Sequence, residues 1–307
     1  MKKIPVYVIS GFLGSGKTTV LLHMINHFKK ENKQPGIILN ELGDENVEKH
    51  LFSEEKMIEL LNGCICCTIQ GDLKGTLQSL KNEPIDVLLI EGTGVANPLE
   101  IRDILFDPHF IDTFELQSMI SIVDASHYLE YQSFFASSKE IRALLKEQIE
   151  AASLLIINKI DLVSEKELKK VERKILLEMN RDIPMYQTTH GEIPLEILLE
   201  KRVHVVEVSE QDHHHHHHHH HIEAIKMKWA KPITRKQLEE KLKSLATKVI
   251  RAKGIVYLDT SNDLYEFQYA AKQLSVHKIK ENESPKIILI GKDLSKEEIE
   301  RLFQEEN

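Results

Sequence analysis

The chain has 307 residues, 41% of them hydrophobic, and a formal net charge of -8. That length buries a real core and accommodates two domains, and an acidic balance with no basic block argues against a protein that works on nucleic acid or on an anionic membrane surface. The opening MKKIPVYVISG holds only a strand-length apolar run, too short for a signal peptide, and no segment is long enough to cross a bilayer, so the expected compartment is the cytoplasm.

Short apolar runs at 4–9, 36–39, 57–61, 85–90, 118–123, 153–157 and 184–187 alternate with segments of helical period. The pattern predicts an α/β domain over residues 1–205, a mostly parallel sheet with helices on both faces, with ligands at the carboxyl ends of its strands. The first run ends in GFLGSGKTT, which fits G-x-x-x-x-G-K-[ST] with Gly11, Gly16, Lys17 and Thr18 in the fixed places. Glycines let backbone amides turn inward around a phosphate chain, and the helix opening near Lys17 adds its positive end. Nucleotide contacts are therefore expected from Gly11, Gly14, Ser15, Gly16, Lys17, Thr18 and Thr19. Lys17 reaches the β- and γ-phosphates in this arrangement, and the Thr18 hydroxyl is a ligand for Mg²⁺.

The 85–90 run leads to Glu91-Gly92-Thr93-Gly94, an acid at a buried strand end with a glycine three residues on, the pattern that senses magnesium and the γ-phosphate. Glu91 and Gly94 accordingly join Lys17 and Thr18 as catalytic candidates. Glutamate is one methylene longer than aspartate, so a water-mediated metal contact or a hand in orienting the attacking water is expected. The 153–157 run ends in Asn158-Lys159-Ile160-Asp161, an N-K-x-D sequence whose carboxylate can pair with the N1 and N2 donors of guanine. That selects GTP over ATP and disfavours an ATP-dependent kinase. Gln187-Thr188-Thr189 follows at the next strand end.

All three cysteines, Cys64, Cys66 and Cys67, fall in four residues, which rules out a disulfide framework and points to metal or redox chemistry. Thiolates so spaced suit Zn²⁺ or Cu(I), and a closed zinc site needs a fourth ligand. Glu41, at another strand end, is the candidate, with His50 as the alternative on the same loop. Nine consecutive histidines, His213, His214, His215, His216, His217, His218, His219, His220 and His221, form a low-complexity run that cannot pack a core. Such a run is either an affinity tag or a natural metal-collecting tract, and its internal position favours the tract. It is a weak, promiscuous accessory site for Zn²⁺, Ni²⁺ or Co²⁺. Residues 206–221 therefore read as a histidine-rich linker and 222–307 as a small α+β domain.

In this order, GFLGSGKTT, NELGDEN, NGCICCT, IEGTGVANP and NKID closely resemble the CobW-like family of P-loop GTPases, relatives of the nickel-insertion GTPases of urease and hydrogenase maturation. The resemblance covers most of the chain, with RAKGIVYL at Arg251 to Leu258 in the segment similar to the family's C-terminal domain. Only Leu42 and Asn97 depart from commoner residues. It implies a metal motif at Cys64, Cys66 and Cys67 and the acidic Walker B residue at Glu91. The expected protein is a GTP-hydrolysing metallochaperone that delivers a transition metal, Zn²⁺ before Co²⁺ or Ni²⁺, to a client metalloprotein, and a homo-oligomer is compatible with that role. A zinc, nickel or cobalt buffer with incidental GTPase activity, or a cobalt-handling protein of cobalamin synthesis, is the alternative.

Overall fold

Strands buried on both faces of a parallel sheet read as near-continuous apolar runs, and strands of that kind lie within the seven-stranded sheet of the first unit of the computed structural model. The structure describes residues 2–39, 56–59, 69–92, 97–179, 182–208, 222–258, 263–280 and 283–304. The chain forms β1 (Ile4–Gly11), α1 (Lys17–Lys30), β2 (Pro35–Leu39), β3 (Lys56–Glu59), α2 (Ile69–Leu80), β4 (Val87–Glu91), α3 (Pro98–Leu105) and β5 (Phe114–Asp124). It continues through α4 (Tyr128–Tyr131), α5 (Lys139–Ala151), β6 (Leu154–Asn158), α6 (Glu165–Glu178), β7 (Met185–Gln187) and α7 (Leu195–Leu199). The strand order is β3-β2-β4-β1-β5-β6-β7, and every neighbouring pair is parallel.

Alternate residues of one strand feed opposite cores, as the period of two requires. Leu154 and Ile156 of β6 join the α1 side, where Val20, Leu21, Met24, Ile25 and Phe28 pack against Tyr7, Ile9, Ile37 and Leu89. Leu155 and Ile157 face the other way, into Tyr128, Ile149, Val171 and Ile175. Each fully buried side chain of this kind contributes about 1.5–3 kcal/mol of transfer free energy. Local signals close the helices: Ser164 and Glu167 form a capping box on α6, and the Asn97 carboxamide oxygen accepts from Leu99 N at 2.9 Å at the start of α3. Because β1 connects leftward to β2 and β5 rightward to β6, the switch point of the sheet lies between β1 and β5. Folds of this kind bind ligands at that point, at the carboxyl edge of the sheet.

The second unit comprises Phe106–Asp112 and Val203–Asn307. It contains β8 (His204–Val208), β9 (Ile222–Lys228), α8 (Arg235–Ser244), β10 (Val249–Tyr257), β11 (Leu264–Ala270), β12 (Gln273–Lys278), β13 (Lys286–Gly291) and α9 (Lys296–Gln304). Its sheet runs β12-β11-β10-β13-β9-β8 and is antiparallel except for the β8–β9 pair. One face carries a core of Ile225, Met227, Ala252, Val256, Phe267, Ile287 and Leu289 under Leu238, Leu242, Ile299 and Phe303 of the helices. The unit thus starts a few residues before 206, and it takes in a segment from between α3 and β5. Val205, Val206 and Val208 pair with β9, so the segment read as a linker from residue 206 begins within a strand.

Three lysines are buried on the sheet's other face. Lys253 is in register with Ile288, which is in register with Lys226, and Lys286 stands two residues along β13. Their partners come largely from the 106–112 segment. Lys253 Nζ donates to Asp107 at 3.4 Å, Lys286 Nζ to Asp112 at 2.6 Å and to the Pro108 carbonyl at 3.0 Å, and Lys226 Nζ to Asp112 and, at 3.0 Å, to Glu207. Burial alone would raise the Asp112 carboxyl, but hydrogen bonds from Lys226 and Lys286 lower it to about 2.

Candidate functional site

The turn after β1 is shaped by three glycines at positive φ, two of which have no room for a β-carbon. Gly11, Gly14 and Gly16 have φ of 142°, 73° and 104°. A β-carbon on Gly11 would lie 2.3 Å from the Ile122 carbonyl oxygen, and one on Gly16 would lie 2.5 Å from Asn158 Nδ2. Gly16 caps α1 from the left-handed region, and no side chain caps that helix end. Its first-turn amides and the dipole therefore define an anion site. Ser15 Oγ is buried without a hydrogen-bond partner, a polar atom suited to a phosphate oxygen. Lys17 is 5% exposed, and its ammonium donates to the Phe12 carbonyl at 3.3 Å, across the same loop.

At the end of β4, Glu91 is 1% exposed, and the Thr18 hydroxyl donates to its carboxylate at 3.3 Å. A hydroxyl and a carboxylate so close are two hard oxygen donors, the set that suits Mg²⁺. Thr19 is exposed. The end of β6 reaches the glycine turn through Asn158, whose Nδ2 donates to the Ser15 carbonyl at 2.8 Å and whose Oδ1 accepts from Gly191 N at 3.0 Å. Lys159 follows in the left-handed region, φ 61° and ψ 36°, and starts a 3-10 turn over Ile160–Leu162 that leaves Asp161 open to solvent. Thr188 N, past the end of β7, donates to the Ile157 carbonyl and the Thr188 carbonyl accepts from Ile160 N, so this loop flanks the N-K-x-D turn.

Asp124 is a further member of the cleft that no motif marks. Asp124 ends β5 in register with Asn158. Its carboxylate accepts from Lys159 Nζ at 2.7 Å and from Ser126 N at 2.9 Å. Burial would raise this carboxyl, and the Lys159 and Ser126 hydrogen bonds hold it below the usual aspartate range. The signal was there, an acid closing the apolar run SMISIVD as Glu91 closes IDVLLI, but the predicted strand stopped at Val123.

Cys64, Cys66, Cys67, Glu41, His50, Gly94 and the histidines from His213 to His221 lie outside the described residues. The described strands β2, β3 and β4 end at Leu39, Glu59 and Glu91, in register side by side. Among the described residues, one group of metal-ligand types converges, Asp107, His109 and Glu266 in the second unit. Glu266, 3.9 Å from Nε2, and Glu283, 3.2 Å from Nδ1, raise the His109 pKa to about 9. With Lys253 beside Asp107, the group is a closed ion network at neutral pH.

A seven-stranded parallel sheet with a glycine turn after its first strand, an acid after the neighbouring strand and an N-K-x-D turn defines the architecture of the P-loop nucleotide-binding class. Residues 5–187 match the model of the CobW/HypB/UreG nucleotide-binding domain, and residues 222–306 that of the cobalamin synthesis protein cobW C-terminal domain. The chain belongs to the CobW/HypB/UreG family. Zinc chaperone YjiA of Escherichia coli is 28% identical over 325 residues, covering 99% of this chain and 98% of that protein. Zinc-regulated GTPase metalloprotein activator 1 of Dictyostelium discoideum is 32% identical over 232 residues, 64% of this chain, which spans about half (48%) of that relative's length. The fold matches the crystal structure of Zn(II)-bound YjiA GTPase from E. coli with a TM-score of 0.50 at 23% identity, over 99% of this chain and 98% of that one.

Proposed function

We propose that the chain is a GTP-hydrolysing metallochaperone that binds Zn²⁺ through Cys64, Cys66 and Cys67 and releases it to a client metalloprotein in the cytoplasm. The observation that carries the nucleotide half is the Asn158 carboxamide, which ties the N-K-x-D turn to Ser15 of the glycine turn at 2.8 Å. Base and phosphate recognition thereby belong to one cleft. The metal half is supported by the cysteine spacing and by the zinc in the names of its relatives.

In the cleft, amides of the glycine turn and the α1 terminus cradle the phosphates, and Lys17 turns from the Phe12 carbonyl to the β- and γ-phosphate oxygens. Thr18 would hold Mg²⁺, with Glu91 contacting it through water, and the ion would supply positive charge against the phosphates. The burial of Glu91 next to Thr18 supports the reading that it orients the attacking water. Gly94 and the Glu41 loop, which follow Glu91 and Leu39 at adjacent strand ends, lie on the segments that the γ-phosphate would draw in. Glu41 completes the thiolate set as a fourth, easily surrendered ligand, since a carboxylate is harder than a thiolate.

Base choice is tested by Asp161→Asn. The amide offers a donor where guanine also presents donors, so GTP binds about tenfold or more weakly and xanthosine triphosphate gains. Unchanged GTP affinity, with ATP competing equally, would remove the guanine assignment.

A further inference from the structure

Lys159 is a lysine in the left-handed region, with φ of 61°, a conformation that is costly for a non-glycine residue, and two contacts hold it there. On one side the Asn158 carboxamide is held by Ser15 and Gly191. On the other the Lys159 ammonium lies 2.7 Å from the Asp124 carboxylate, a charge-assisted bond to a group 7% exposed. Asp124 is itself fixed by Ser126 and by its place at the end of β5, across from Asn158 and beside the switch point of the sheet.

The lysine therefore has both ends tied, its backbone at the end of β6 and its ammonium at the end of β5. The stem between them belongs to a side chain that is 31% exposed, and it leaves an apolar ledge against which a planar base can lie. His127, which also contacts Asp124, stacks on Tyr131 at 5.9 Å, and Tyr131 packs on Phe12 of the glycine turn at 4.6 Å. The β5 end thus braces the base-side loop and the phosphate-side loop together.

We propose that Asp124 is a positioning residue for guanine-nucleotide binding: it pins the Lys159 ammonium, and so holds the lysine stem and the turn that presents Asp161 in the base-binding arrangement. The proposal rests on the guanine reading of N-K-x-D given above. Since Asp124 acts on the base side, it affects nucleoside diphosphate and triphosphate alike.

The test titrates the full chain with fluorescent GDP and a non-hydrolysable GTP analogue, comparing wild type with Asp124→Asn, Lys159→Met, the double variant and Asp161→Asn. Asp124→Asn weakens both nucleotides by the same factor, about tenfold, and in turnover the loss shows in KM for GTP rather than in kcat. Lys159→Met keeps the stem but frees its end, so it produces a similar loss, and the double variant loses no more than either single one. Wild-type affinity in either single variant, multiplied losses in the double, or a loss confined to the triphosphate with a lower kcat would overturn the proposal. Should Asp124→Asn fail to fold, Lys159→Met decides alone, because its side chain is partly exposed and its loss opens no core. If Asp161→Asn also binds GTP normally, the guanine reading has failed; if only Asp161→Asn weakens binding, Asp124 has no such role.

Discussion

Replacing Lys17 by alanine lowers GTP turnover by roughly two to three orders of magnitude, the usual effect of deleting one preorganised electrostatic group. Lys17 is the cation of the glycine turn, it is buried, and its ammonium already rests on a carbonyl of the loop that would surround the phosphates. Alanine leaves the α1 core face from Val20 to Phe28 intact and is a good helix former, so the loss reflects chemistry and not unfolding. Single-turnover hydrolysis at saturating GTP measures it, with thermal unfolding as the control for fold. Turnover within a few-fold of wild type would show that the glycine turn is not the phosphate site.

The largest effect on stability is expected in the second unit. Asp107 is 1% exposed and faces the buried Lys253 ammonium at 3.4 Å. Asp107→Ala leaves that charge in a dry setting without its carboxylate and destabilises the unit by about 3–5 kcal/mol. Pairing it with Lys253→Met restores much of the loss, since removing both charges avoids the desolvation penalty. Hydrogen exchange of the β10 and β13 amides reads this out, because a second domain makes a single global unfolding midpoint ambiguous. Exchange unchanged in Asp107→Ala would mean that water reaches Lys253. His109 adds a pH dependence in the same network: its pKa, raised to about 9 from 6.5, gives stabilisation that is full below pH 6.5 and is lost as pH rises through about 9.

Where burial was two-sided, the sequence was easy to read. The fully buried strands β2, β4 and β6 are near-continuous apolar runs and were legible to within a few residues, whereas β5 carries Gln117, Ser118 and Ser121 among its buried residues and was legible only from residue 118. Least legible are β8 and β12, the edges of the second sheet. His204–Val208 has a charged glutamate among its valines, and Gln273–Lys278 buries only Leu274 fully, so neither has the composition of an interior strand. The 106–112 segment was invisible for a different reason. Its place is decided by Asp107 and Asp112 meeting lysines more than a hundred residues away, a long-range pairing that periodicity cannot encode. In the site, Gly11, Gly16, Lys17, Thr18, Glu91 and Asn158 follow from spacing alone, because their roles are local to one turn or one strand end. Asp124 needed the register between β5 and β6.

Coupling between the nucleotide cleft and the cysteine ligands is the centre of the proposed function, and Zn²⁺ affinity measured by chelator competition, with GDP and then with a non-hydrolysable GTP analogue, tests it most directly. An allosteric coupling of ordinary size shifts the tight-site affinity roughly 5- to 150-fold between the two nucleotide states. Cys66→Ser should abolish the tight site, Glu41→Gln should shrink the nucleotide effect, and deleting His213 to His221 should leave both unchanged. The same Zn²⁺ affinity in both nucleotide states, or a Cys66→Ser variant that binds as tightly as wild type, would contradict a metallochaperone gated by GTP.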